Sequence, residues 1–136
     1  MNEFERALAI KVGHPALDEQ HQKMILLCQA VIKSFAGSVE RKPGAAQLQA
    51  LIDSTEAHFV FEERLMRAAA YPAAEQHAQF HASLLKELRK YALSVNQGRH
   101  AEPAGLTSFI WFTQHIEAAD REFVAWLKSH KADGGS

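Results

Sequence analysis

The chain has 136 residues, of which 47% are hydrophobic and 23% charged, and its formal net charge is −1; this is enough for one domain with its own core. The near-neutral charge argues against nucleic acid or an anionic membrane as the main partner, because both select a basic face. Cys28 is the single cysteine, so no intrachain disulfide can form, and the lack of a signal-like or membrane-spanning apolar stretch predicts a cytoplasmic protein.

Four segments carry apolar residues at steps of three and four, the period of an amphipathic α-helix. Asp18 is the predicted N-cap of the first segment, and Phe80 is predicted to face inward on the third. The predicted helices run from about Glu19 to Phe35, Ala45 to Ala69, Ala73 to Val95 and Ala104 to Ser129. Their connections are short, so neighbours are expected to be antiparallel. The sequence therefore predicts an all-α, up-down-up-down antiparallel four-helix bundle in a single domain (residues 1–136), with an N-terminal arm (1–17) before the bundle (about 18–130).

Seven side chains that can ligate a metal recur along these four helices, five of them imidazoles and two carboxylates. They fall one, two, two and two on the successive helices, and residues four apart lie on one face of an α-helix. A bundle with those faces inward would bring all seven together in its core. The seven residues are His21, His58, Glu62, His77, His81, His115 and Asp120.

His115 and Asp120 have a less regular spacing than the other pairs. They are five residues apart, and five residues carry a side chain well past the starting face of an ideal α-helix. We expect a tilt of the fourth helix or a local π-bulge to bring Asp120 round to the other six residues.

A metal centre competes with a simpler interpretation of the same residues. Each histidine alone is more often a hydrogen-bonded core residue, and Glu62 alone could belong to a buried ion pair. Two buried carboxylates without a cation are costly, however, so the set as a whole favours metal. Seven ligands exceed one tetrahedral zinc, and calcium and magnesium prefer oxygen. Mixed imidazole and carboxylate ligation suits iron, manganese or zinc, and the sequence predicts a binuclear centre, with iron preferred.

A count of ligands predicts one open position at such a centre. Two six-coordinate metals offer twelve positions; the five imidazoles fill five, and Glu62 and Asp120, each bridging both metals, fill four. A bridging oxide or hydroxide fills two more, which leaves one vacant. The three histidines at 77, 81 and 115 would saturate one metal, whereas His21 and His58 would leave the other five-coordinate. One vacancy is what a small diatomic ligand needs.

The order and spacing of the seven residues resemble the hemerythrin family, in particular its prokaryotic single-domain members, the bacteriohemerythrins. The stretch LDEQH from Leu17 to His21 also resembles the family's first-helix motif, and the resemblance spans about Val12 to Lys128. It implies a four-helix bundle holding two iron ions (Fe2+ or Fe3+) joined by an oxo or hydroxo bridge, with O2 bound reversibly at the five-coordinate iron. One departure is the arm, where related sequences often carry tryptophan and this chain has Phe4 or Leu8 nearby.

An apolar lining is expected around the open position, where it would exclude water and protons. The same residues are also ordinary core residues. By their spacing from the predicted ligands, the lining residues are Met24, Ile25, Phe59, Trp111 and Phe112. On the outer face, Glu63 and Arg67 are expected to form an exposed pair four residues apart.

The leading functional hypothesis is a protein that binds O2 for carriage, storage or delivery and is not an enzyme. Di-iron oxygenases of the bundle type use four carboxylates, whereas this chain supplies two. The alternatives are a di-iron enzyme acting on peroxide or nitric oxide, and a stand-alone sensor of oxygen or iron. No nucleic-acid or membrane partner is expected, and the sequence does not identify a protein that receives the O2.

Overall fold

The computed structural model describes residues 3–36, 43–97 and 111–130 of the chain. The first four helices are α1 (Glu3–Ala9), α2 (Pro15–Ala36), α3 (Pro43–Ala68) and α4 (Ala74–Asn96). The last helix, α5, consists of α-helical residues 111–115, a π-helical turn (Ile116–Asp120) and an α-helix (Arg121–His130). The predicted start of this helix at Ala104 lies outside the described residues. Within the described ranges, no helix is apolar over enough of its length to cross a membrane.

Helices α2 to α5 form an antiparallel bundle, as predicted. Along contacting helices, residue numbers fall in one helix as they rise in its neighbour, which is the pattern of antiparallel packing. The pairs are Glu56–Arg89 and Glu63–His81 between α3 and α4, and Tyr71–Phe123 and Phe80–His115 between the α4 region and α5. The all-α four-helix bundle is therefore confirmed.

The core of the bundle follows the apolar stripes of the sequence. Buried residues that share it are Leu17, Met24, Ile25, Cys28 and Val31 of α2; Leu48, Leu51, Ile52, Phe59 and Met66 of α3; Leu84, Leu88 and Val95 of α4; and Phe112, Ile116, Phe123 and Val124 of α5. Phe80 is an exception, and its predicted inward orientation is wrong: the residue is 42% exposed. One face of its ring stacks on His115 (centroids 4.7 Å apart), and the remainder meets solvent.

The start of α2 differs from the prediction that Asp18 is its N-cap. The helix begins at Pro15, four residues before the predicted Glu19; the fixed φ and missing N–H of proline suit the first helical position. His14 Nδ1 accepts a hydrogen bond from Leu17 N (3.3 Å) and so satisfies an N–H of the first turn. Asp18 instead accepts hydrogen bonds from the backbone N–H groups of Val12 (2.8 Å) and Gly13 (3.3 Å). Its carboxylate therefore holds the segment that leads into α2, at Val12 and Gly13, against that helix.

The N-terminal arm contains a short helix that packs on the bundle. In α1, Ala7 is buried, and Gln22 Nε2 of α2 donates a hydrogen bond to the carbonyl oxygen of Leu8 (3.2 Å). Gly13 turns the chain from the arm into α2 with a φ of +94°, a backbone conformation that residues with a side chain rarely adopt.

Candidate metal centre

The seven predicted ligands converge in the middle of the bundle. One comes from α2, two from α3, two from α4 and two from α5, so the centre joins all four long helices. Each of the seven is at most 6% exposed. Such burial of two carboxylates and five imidazoles requires internal compensation of charge, because water cannot provide it.

Five donor atoms form a cluster that we call the three-histidine group: Nε2 of His77, His81 and His115, with one oxygen of each carboxylate. His115 Nε2 lies 3.0 Å from the Nε2 atoms of both His77 and His81. Glu62 Oε1 lies 2.8 Å from His77 Nε2 and 3.1 Å from His81 Nε2. Asp120 Oδ1 lies 3.0 Å from His77 Nε2 and 2.7 Å from His115 Nε2.

A second cluster, the two-histidine group, uses the other oxygen of each carboxylate together with Nε2 of His21 and His58. The two nitrogens are 3.1 Å apart, and Asp120 Oδ2 is 2.8 Å from His21 Nε2. His58 Nε2 lies 3.9 Å from Glu62 Oε2 and 3.8 Å from Asp120 Oδ2. Glu62 and Asp120 thus each direct one oxygen to one group and the second oxygen to the other.

These distances fit metal ions better than a hydrogen-bonded core. Adjacent donors around a six-coordinate metal with bonds of about 2.1 Å are about 3 Å apart, which is close to most of the separations above. Both oxygens of Glu62, and Oδ1 of Asp120, are buried without a hydrogen-bond partner among the described residues. Neighbouring imidazole nitrogens are near these oxygens but lack the alignment of a hydrogen bond. The residues present therefore fit one transition-metal ion in each group, with both carboxylates shared.

The electrostatics of the centre also call for cations. Burial alone would raise the pKa of Glu62, but the imidazoles of His115, His77 and His81 lower it to about 2. Asp120, although buried, likewise has a pKa well below its usual value because of nearby imidazoles. Burial would lower the pKa of His77, yet Asp120 and Glu62 raise it to about 9. Without metal, protons on imidazoles would have to neutralise the carboxylates.

The π-helical turn of α5 accounts for the irregular spacing of His115 and Asp120. A π-turn contains more residues than an α-turn, so a residue five positions on returns to nearly the same side of the helix. The turn spans Ile116–Asp120 and directly follows His115. Of the two alternatives expected from the sequence, a tilt or a π-bulge, the structure contains the π-helical one.

In two of the five imidazoles, Nδ1, the ring nitrogen that faces away from the centre, is hydrogen-bonded to a residue that the sequence analysis did not identify. His58 Nδ1 donates to Gln20 Oε1 (2.6 Å), and His81 Nδ1 donates to Glu63 Oε2 (2.8 Å). Each bond fixes the tautomer that leaves Nε2 free to face the centre. The only sign of these roles in the sequence is that each residue is next to a predicted ligand: Gln20 precedes His21, and Glu63 follows Glu62. The expected exposed role for Glu63 is wrong, since its carboxylate reaches inward to α4.

Phe59 packs directly against the centre, and the other predicted lining residues are buried or partly buried. Phe59 stacks on His81 with the two rings nearly parallel and their centroids 3.7 Å apart, and its centroid lies 5.7 Å from that of His58. Met24, Ile25 and Phe112 are buried, and Trp111 is half-buried. The stacked ring of Phe59 covers one face of the His81 imidazole and keeps water from it.

Comparisons with known proteins identify the family of this chain. The family described as the hemerythrin HHE cation binding domain matches residues 12–127. Similar proteins include a bacteriohemerythrin of Stenotrophomonas maltophilia, 26% identical over 122 residues that cover 89% of this chain and 79% of that protein. A bacteriohemerythrin of Ralstonia nicotianae is 28% identical (92% and 89% covered), and myohemerythrin-1 of Phascolopsis gouldii is 29% identical (88% and 90% covered). The family match covers most of the chain, including all seven predicted ligands, and this chain belongs to the hemerythrin family.

Proposed function

We propose that this protein binds O2 reversibly at a non-haem di-iron centre and serves in oxygen carriage, storage or delivery. The observation that carries the proposal is the division of the carboxylate oxygens of Glu62 and Asp120 between two donor groups. A carboxylate shared in this way bridges two metals, so the pattern supports a binuclear rather than a mononuclear centre. Membership of the hemerythrin family supports iron as the metal.

The unequal size of the two groups supports an open position on one side. The three-histidine group offers five donor atoms and the two-histidine group four. A single oxo or hydroxo bridge shared by both metals would complete six positions in the first group but only five in the second. We therefore assign the open position to the side of His21 and His58, where a diatomic ligand would bind.

The protein's own residues would make this binding reversible. Two ferrous ions would supply the two electrons that the bound O2 takes up and returns. Phe59, packed between His58 and His81, and the buried Met24 and Ile25 beside His21 exclude water, which limits proton delivery and hence the loss of reduced oxygen species. Neutral imidazoles outnumber carboxylates, and anionic oxygen donors that would favour substrate oxidation are few.

The test is to load the full chain with iron anaerobically, expose it to air, and then remove the O2. Reversible appearance of a visible charge-transfer band, at two irons per chain, is the expected result. Irreversible bleaching on the first exposure, or one iron per chain, would contradict the proposal. Sustained turnover of peroxide or nitric oxide by the reduced protein would favour an enzyme, and a change in oligomeric state on oxygenation would favour a sensor.

A further inference from the structure

A cavity of about 200 Å³ opens beside the centre, between the first turns of α4 and the π-helical turn of α5. Ala73, Gln76, His77 and Phe80 line it from the α4 side, and Ala119 and Glu122 from the α5 side. Ala73 and Ala119 leave the space open because their side chains are small. We call this space the His77 cavity.

His77 is both a wall of this cavity and a member of the three-histidine group. It has the largest exposed fraction of the seven predicted ligands, 6%, whereas the other six are at most 3% exposed. Its Nε2 atom nevertheless lies within 3.0 Å of Glu62 Oε1 and Asp120 Oδ1. A single imidazole ring therefore separates the contents of the cavity from the donor atoms of the centre.

The lining of the His77 cavity is suited to a cation on its way inward. Glu122 provides an exposed carboxylate and Gln76 an amide carbonyl, the oxygen donors that can replace water around a divalent metal. Tyr71, which also lines the cavity, responds to the local negative charge: its pKa is raised by burial and by the charges of Glu122, Asp120 and Glu62. The exposed carboxylate of Glu122 in the cavity wall attracts cations from solvent.

We propose that the His77 cavity is the passage by which ferrous ions enter and leave the centre, with Glu122 as the residue that first captures the ion and His77 as the first ligand to receive it. The inference rests on the proposed metal centre. It explains how a metal reaches donor atoms that are otherwise enclosed by core side chains. Any divalent transition metal that the centre accepts would use the same passage.

The experiment compares the rates of metal uptake and removal in the full chain. For uptake, metal-free protein is mixed with Co2+, and the visible absorption of the bound ion is followed over time. For removal, Fe2+-loaded protein is mixed with a chelator that forms a coloured complex with Fe2+, and the absorption of that complex is followed. Glu122→Gln removes the charge of the capture residue without changing its shape. Ala73→Leu narrows the cavity. Glu117→Gln is the matched control, since it removes an exposed carboxylate of the same helix, in the π-helical turn, that does not line the cavity.

We expect Glu122→Gln to slow uptake about tenfold at low ionic strength, with the difference shrinking as salt is added. Ala73→Leu should slow uptake and removal by the same factor, because a narrower passage leaves the equilibrium unchanged. Glu117→Gln should match the wild type. If both cavity variants bind two metals and take up and release them at wild-type rates, the cavity is not the passage, but the proposed function is unaffected. A wild-type chain that takes up no metal would overturn both.

Discussion

Glu63 of α3 and His81 of α4 are joined across the bundle by a hydrogen bond of 2.8 Å from Nδ1 to Oε2. The carboxylate is 22% exposed and the imidazole is almost fully buried. The bond fixes the orientation of His81 and increases the electron density at its Nε2 atom, which faces the three-histidine group. His58 has a neutral amide, Gln20, in the corresponding place, so the two sides of the centre differ in their outer partners.

Replacing Glu63 by Gln should weaken metal binding without unfolding the bundle. Loss of an outer partner of a ligating histidine costs about 10–100-fold in metal affinity, and the loss of negative charge beside His81 should raise the reduction potential of the loaded protein. Competition with a chelator and a redox titration measure the two effects. The control is Glu56→Gln on the same helix as Glu63, which breaks an exposed ion pair with Arg89 of α4 and should change neither quantity.

The sharing of carboxylates predicts that ligand variants differ in how many metals they lose. Asp120→Ala removes a donor from both groups at once, so both metals should be lost together. His21→Ala removes a donor from the two-histidine group alone and should leave about one metal per chain, held by the three-histidine group. Metal analysis after gel filtration distinguishes these results. Equal metal content in the two variants would contradict the bridging assignment.

His77→Ala should lose metal and stability together, because metal binding is linked to folding. The melting temperature of the metal-loaded wild type should be well above that of its metal-free form, and the increase should grow with the free metal concentration. In the variant, metal should raise the melting temperature hardly at all. Thermal unfolding with and without Fe2+ measures the difference. His130→Ala, which alters an exposed histidine stacked on Trp126, should retain the full gain. An unchanged melting point and metal content in His77→Ala would refute the assignment of this ligand.

The stability of the metal-free protein should depend on pH through His77 and Glu62. The folded-state pKa of His77, about 9, is above its ordinary 6.5, so its stabilising contribution is complete below pH 6.5 and disappears as pH rises through 9. The folded-state pKa of Glu62, about 2, is below its ordinary 4.5, so its contribution is present above pH 4.5 and disappears as pH falls toward 2. Urea unfolding across this range should give a maximum between about pH 4.5 and 6.5. In the metal-loaded protein the alkaline decline should be absent, since metal replaces the proton on His77.

Phe59→Leu tests the water-excluding role of the ring that stacks on His81. We expect the oxygenated protein to convert to its oxidised form several times faster, because a smaller side chain admits water beside His58 and His81. The decay of the visible band in air measures this rate. Phe61→Leu is the matched control, since Phe61 lies on the same helix but is 38% exposed. Equal decay rates in the two variants would contradict the role given to Phe59.

The amino-acid sequence was sufficient to predict the four helices, their antiparallel order and the convergence of seven side chains in the core. Those predictions depend on local information: the apolar period of an α-helix places side chains on a face, and residues four apart, such as His58 and Glu62 or His77 and His81, share that face. The types of side chain indicated metal, because buried carboxylates need cations. The five-residue spacing of His115 and Asp120 predicted an irregularity, either a tilted helix or a π-bulge, and the structure contains the π-helical turn.

The tertiary structure decided which atoms meet across helices. The division of the Glu62 and Asp120 oxygens between two groups, the bond from His81 to Glu63, and the opening beside His77 all join segments far apart in sequence, and no spacing rule relates them. The same reason explains two incorrect predictions: Phe80 stacks on His115 of α5, and Glu63 reaches His81 of α4. The prediction for Asp18 was wrong for a local reason, because Pro15 begins α2 and leaves Asp18 to bind Val12 and Gly13. Periodicity gives the direction of a side chain on its own helix, but its contacts depend on how neighbouring helices are rotated and tilted when they pack.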